Sequence, residues 1–213
     1  MMPPLHHERH LLGASHRARA WRFCLFGAVA LTGCSLSLDW REVRPTEAPN
    51  LRAMFPCKPD EVTRSVQMPG LPSKLPMHML SCQAGGVTWA VSHVKVPSVE
   101  DVPATLALMP QLMQANLQAA SKLVPNAKPV EMRSLGPVKV PGMTPQNHAQ
   151  GWRFQAERSD AWGRPLTMTV TSWHFAYGLQ IFQASVSSSL GADPSGVAQD
   201  TESFFRDSIR FHD

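Results

Sequence analysis

LPMHMLSCQAGGVTWAVSHVKV, residues 75–96, is the stretch that decides how this chain folds. Leu75 to Cys82 and Val87 to Val96 are apolar-rich runs, and Gln83-Ala-Gly-Gly86 between them is a turn sequence able to adopt positive φ, so the stretch reads as a β-hairpin. If Gly85-Gly86 forms a two-residue turn, Ala84 pairs with Val87, and the same register sets His78 directly opposite His93. Before the hairpin, Val62 to Met68 alternates, and residues 52–59 read as a short edge strand ended by prolines, which cannot donate to a ladder. After it the period changes. Leu106, Met109, Met113, Leu117 and Ala120 fall at three- or four-residue steps within residues 98–124, an amphipathic helix with Ser98 and Asp101 as candidate caps. Pro110 lies inside it and is expected to kink or divide it. Strand character returns at 128–135, then at 149–158, 165–175 and 180–187, with turns at 159–163 and 176–178. Asp193-Pro194 opens a final helix whose apolar face carries Val197, Phe204, Phe205 and Ile209. The order is that of an α+β domain: an antiparallel sheet with one long helix between strand groups and a C-terminal helix.

The chain has 213 residues, enough for one domain with a core, and its 43% hydrophobic and 17% charged residues fit a globular protein. The formal charge of +4 belongs mostly to the first residues, where Arg9, Arg17, Arg19 and Arg22 face only Glu8. From Cys34 onward 16 basic side chains stand against 15 acidic ones, too even a balance for a nucleic-acid footprint.

Residues 23–33 form an apolar run of 11 residues behind that basic stretch and end in small residues, the layout of a signal peptide. The run is too short to span a bilayer, which takes about 20 apolar residues. Leu31-Thr32-Gly33-Cys34 resembles the lipobox of bacterial lipoproteins, which implies cleavage before Cys34 and lipidation of its thiol. A plain signal peptide, or a buried helix, is the competing reading. Ser35 rather than Asp follows the cysteine, which in Gram-negative lipoproteins implies onward transport to the outer membrane, facing the periplasm. His6, His7, His10 and His16 leave with the leader and are assigned no function. The expected organisation is a signal peptide at 1–33, a lipidated N-terminus and flexible tether at 34–50 with Pro45 and Pro49, and a single domain at 51–213. Cys24 is lost with the leader and Cys34 takes the lipid, which leaves Cys57 and Cys82 as the thiols of the domain. In an oxidising compartment they are expected to pair, and closing a loop of that length contributes about 3 kcal/mol. A redox pair is the weaker alternative, because no Cys-x-x-Cys spacing lowers either thiol's pKa.

Ala53-Met-Phe-Pro56, Val87-Thr-Trp-Ala-Val91, Asn116-Leu117 and Phe204-Phe205-Arg-Asp-Ser-Ile209, taken in this order, resemble the PsbP-like fold, which also occurs in DcrB-like bacterial lipoproteins. That resemblance spans about 51–211 and implies a noncatalytic binding or assembly role, with no functional residues to transfer. No Gly-x-Ser-x-Gly elbow, His-Glu-x-x-His helix, phosphate-cradling glycine loop or EF-hand pattern is present, and no cofactor is expected. Residues Ser187 to Ser189 with Asp193, Asp200 and Glu202 are what a hydrolase site assembled in space would have to draw on.

Three further groups carry both a functional and a structural reading. His78 and His93 are candidate metal ligands or a pH sensor, against ordinary surface or core histidines. Trp89, Trp152, Trp173 and Tyr177 line a groove or fill a core, while Trp162, in a turn with no core to fill, is the candidate partner contact. Met77, Met79, Met109 and Met113 read as adaptable filler between sheet and helix. The expected function is that of a membrane-anchored envelope lipoprotein binding another envelope component, with a small-ligand or metal-binding domain, or a hydrolase, as alternatives.

Overall fold

Gly85 and Gly86 take φ of +59° and +76°, the left-handed values that a tight hairpin turn requires, and they fix the register of everything beside them. In the computed structural model, which describes residues 38–160, 162–189 and 197–212 and the side chains of 200–212 within the last stretch, Ala84 pairs with Val87 and His78 with His93. The two hairpin strands, β4 (Leu75–Ala84) and β5 (Val87–Lys95), lie in a seven-stranded antiparallel sheet. Its other strands are β3 (Asp60–Val66), β6 (Glu131–Pro137), β7 (Gln150–Ser159), β8 (Pro165–Tyr177) and β9 (Gln180–Ser189), in the order β3-β4-β5-β9-β8-β7-β6. A second sheet has three strands in the order β1-β2-β10, formed by β1 (Arg41–Val43), β2 (Leu51–Phe55) and β10 (Arg210–Phe211). The helices are α1 (Asp101–Ser121) and α2 (Val197–Ser208), so the fold is α+β as the sequence predicts.

Alternation along the strands gives the large sheet two faces. On one lies α1, packed along β7, β8 and β9. Leu106 and Met109 are buried there with Ile181 and Ala176, and Leu117 with Phe154 and Val170. Pro110 does not divide α1, which runs unbroken past it. The helix starts where Asp101 accepts hydrogen bonds from the backbone and hydroxyl of Ser98 at 3.1 and 2.9 Å. Ala120 is exposed, and its expected place on the buried face falls to Ser121, whose hydroxyl donates to the Glu157 carbonyl at 2.7 Å.

The small sheet and α2 cover the other face. Phe205 meets Phe55 edge-on at 5.4 Å, and Phe211 lies against Phe175, Phe182 and Tyr177. Each large side chain buried this way is worth about 1.5–3 kcal/mol. The Cys57–Cys82 disulfide joins the end of β2 to β4, as expected. Phe204, placed by the sequence on the apolar face of α2, is half exposed and touches Trp40 at a ring separation of 4.6 Å.

Two expectations require correction. Residues 38–50 are not a flexible tether: β1 pairs with β2, Ala48 is buried, and Trp40 meets Trp89 edge-on at 6.5 Å, so apolar packing draws this polar stretch into the domain. And β2 is not an edge strand, because β1 and β10 hydrogen-bond to its two sides. The opening of the last helix at Asp193-Pro194 lies outside the described residues.

The real edges of the large sheet are unlike its interior. β3 is solvent-exposed along nearly its whole length and carries Asp60, Glu61 and Arg64. β6 slips register between Ser134 and Gly136 and ends in Pro137. Charge, bulge and proline are the usual means by which an edge is kept from recruiting another strand.

Candidate functional site

Between α2 and the β6–β7–β8 side of the large sheet lies a cleft of about 530 Å³. Its floor is apolar: Trp173 and Phe175 of β8, Val138 and Val140 after β6, and Ile209 after α2. Gly151 of β7 makes room for the indole, since a Cβ there would stand 3.1 Å from Trp173 Cδ1 and 3.3 Å from Leu135 Cβ. A side chain there would require Trp173 or Leu135 to give by a few tenths of an ångström.

The walls are charged. Arg153 projects from the same face of β7 as Gly151 and donates from Nη2 to Glu202 Oε1 of α2 at 3.1 Å and from Nε to Thr171 Oγ1 at 3.2 Å. The Thr171 hydroxyl donates in turn to Glu202 Oε2 at 3.2 Å, so three side chains on two strands and a helix close one ring of hydrogen bonds. Thr171 is buried, and Arg153 and Glu202 are partly shielded, which makes this bridge firmer than a free surface pair. One helical turn on, Arg206 donates to both carboxylate oxygens of Asp207 at 2.7 and 3.1 Å. Its pKa is raised above the ordinary guanidinium value, by the Asp207 hydrogen bonds first, against the opposing effect of burial, and with help from the Asp207 and Glu202 charges. With the exposed Lys139 the walls hold three cations and two carboxylates. Such a cleft suits an elongated apolar group lying on Trp173 and Phe175 with an anionic or hydrogen-bonding end at Arg153 and Arg206.

The sequence-predicted residues lie elsewhere. His78 and His93 do stand opposite each other, with ring centroids 5.1 Å apart and planes inclined by 19°. Stacked imidazoles send their in-plane lone pairs sideways rather than toward a shared ion, and Thr63 Oγ1 already lies 3.0 Å from His78 Nδ1. Among the described residues no group of three or more His, Cys, Asp or Glu side chains is placed to hold a metal. His93 is buried with Nε2 unpartnered, and its pKa is pushed down to about 4 by burial and then by His78. On the other face His174 is also fully buried, with Ser172 Oγ 3.2 Å from its Nε2, and burial takes its pKa down to about 4 as well.

Trp162 is 79% exposed at the tip of the β7–β8 turn. Asp160 ties that turn, accepting from the Trp162 and Arg164 backbone N–H groups at 2.8 and 2.9 Å and from Arg164 Nε at 2.7 Å, while the Arg164 guanidinium lies 4.9 Å from the indole centroid. Trp89 and Trp173 are buried and Trp152 and Tyr177 half-buried, so only Trp173 of the named aromatics lines the cleft. Met77, Met109 and Met113 border a separate hollow of about 310 Å³ beneath α1, together with Met68. Cys34 and Asp193 lie outside the described residues, Asp200 is exposed, and Glu202 is drawn into the cleft. Sequence reading passes over Arg153, Arg206, Lys139 and Gly151. The available signal is Arg153 itself, a cation in the middle of an apolar strand that must find a partner.

No protein-family model matches the chain, and no curated protein matches it. Among solved structures it is similar to a chain described as the crystal structure of LpqN involved in cell envelope biogenesis of Mycobacterium tuberculosis, with 13% sequence identity and a TM-score of 0.36 over 82% of this chain and 79% of that one.

Proposed function

We propose that this chain is an exported bacterial envelope lipoprotein, cut before Cys34 and anchored through that residue at a membrane, the outer membrane on its periplasmic side, whose noncatalytic PsbP-like domain binds another envelope component in the cleft beside α2. The cleft is the observation that carries the reading: an apolar floor, an ordered charged wall and an open mouth form a place to hold a partner group. The leader and the Leu31-Thr32-Gly33-Cys34 sequence support export and anchoring, and the Cys57–Cys82 disulfide fits an oxidising compartment. A small amphiphile is the second reading, favoured by a volume within the usual range for small-ligand sites.

A photo-reactive amino acid at Lys139, on the cleft rim, tests the proposal in intact cells, with the same group at Arg64 on the far sheet edge as control. Recurrent capture of one envelope protein from Lys139 alone, lost when Arg153→Glu reverses the wall charge, is the expected result. Capture from neither site, with a lipid-like molecule recovered by solvent extraction of the purified protein, supports the second reading. Capture from neither and an empty extract overturn both.

A further inference from the structure

Among the described residues Leu123, Trp162 and Val99 are the most exposed large apolar side chains, at 81%, 79% and 70%; Leu123 and Trp162 lie at the same end of the sheet, and Val99 precedes α1 at the other. The turn after α1 carries Leu123, and α1 ends against the last residues of β7: Ser121 bonds the Glu157 carbonyl, and the Lys128 N–H donates to the Glu157 carboxylate at 3.2 Å. The β7–β8 turn begins two residues beyond Glu157 and presents Trp162 on the loop that Asp160 ties. The indole at this tip is covered only by the Arg164 guanidinium and contributes nothing to the core.

The chain also enters the fold toward this end. The Asp39 N–H donates to the Pro56 carbonyl at 2.9 Å, Trp40 meets Trp89, and the disulfide holds Cys57 beside Cys82, two residues from the close of β4 at Ala84. Cys34 precedes Leu38 by four residues, a reach of at most about 14 Å. From the Arg153 row, level with Trp89 across the sheet, β7 runs on to Ser159, about 20 Å at strand rise. The tip is thus within about one strand's length of the row where the chain enters, whereas the opposite end of the 13-residue β8 is about 40 Å from the tip.

We propose that this end of the domain docks on the bilayer to which the Cys34 lipid holds the chain, with Trp162 and Leu123 set into its interface. The inference rests on the lipid anchor at Cys34. A tryptophan finds a suitable environment there, with its ring among the headgroups and its N–H still hydrogen-bonded. Lys122, Lys128, Arg158 and Arg164 are offset to within one charge by Glu131, Glu157 and Asp160 at the same end, so the contact is mainly apolar and depends little on ionic strength.

The full chain is expressed, recovered from the membrane fraction and placed in phosphatidylethanolamine–phosphatidylglycerol vesicles whose acyl chains carry bromine at carbons 6 and 7. Tryptophan emission is then compared between wild type and Trp162→Phe. The share of emission that the substitution removes is expected to be quenched at least two-fold relative to unbrominated vesicles, equally at low and high salt, and Leu123→Asn is expected to weaken that quenching with the far-ultraviolet circular dichroism unchanged. The mass of the N-terminal peptide from the same sample reports the anchor separately. A peptide without acyl chains overturns the anchor and the docked orientation with it. An acylated protein whose Trp162 emission is unquenched overturns the docking alone and leaves the tip to a protein partner.

Discussion

The two faces of the large sheet are covered in different ways. Against the small sheet and the Phe205 side of α2 the contact is aromatic: Phe55, Phe175, Phe182, Phe205 and Phe211 interlock, a disulfide crosses the seam, and the open cleft lies to one side of this cluster, over β6, β7 and β8. Under α1 the sheet presents Ser92, Ser172 and His174, which are buried, and methionines border a hollow of about 310 Å³ between helix and strands. Interiors packed like the first resist deformation, whereas flexible thioethers around free volume adapt to it. The first face therefore holds the architecture, and the second leaves the helix room to adjust.

The largest expected effect tests the aromatic face. Phe205→Ala should cost about 3–5 kcal/mol of unfolding free energy in denaturant titrations, through lost burial and the cavity left against Phe55. A loss below about 1 kcal/mol would remove the distinction between the faces. Next, reducing the disulfide, or replacing Cys57 and Cys82 together by Ala, should cost about 3 kcal/mol for the loop that the bond closes across 25 residues, read as a lowered Tm.

Acid should act on both faces through one histidine on each. His93 and His174 are held near a pKa of about 4 in the fold, against about 6.5 in the unfolded chain. The unfolded chain therefore takes up these protons first. Stability is complete above pH 6.5, falls as the pH drops toward 4, and levels off below that. Between pH 7.5 and 5 the loss should be about 2 kcal/mol for each histidine, and His174→Gln should remove its half of the slope while His93→Gln removes the other. A single substitution that flattens the whole profile would show the two faces to be one titrating unit. The smallest effect is expected under α1, where Met113→Leu should change stability by less than about 1.5 kcal/mol because the hollow accommodates the altered shape.

What the sequence revealed followed from local chemistry. The Gly85-Gly86 turn dictates register, and register alone is enough to put His78 over His93. The seven strands of the large sheet and α1 follow from apolar period. β1 and β10, of three and two residues, are too short for any period to show, and only the packing of Trp40 and Phe211 reveals why they pair with β2. The candidate cleft was less legible still. Its floor and walls come from four separated stretches, 135–140, 151–153, 173–175 and 202–209, and nothing in Arg153 or Glu202 names the other as its partner. Tertiary proximity, not residue type, makes that site.

The armoured edges of the large sheet acquire a second meaning if the domain is held on a lipid plane. Confining a protein to two dimensions raises its local concentration and favours side-by-side encounters, in which the outermost strands of neighbouring copies meet first. The carboxylates and Arg64 on β3, and the bulge and Pro137 of β6, deny such a neighbour a continuous ladder to extend. The same few residues would let many copies share a crowded surface as separate molecules rather than polymerise along it.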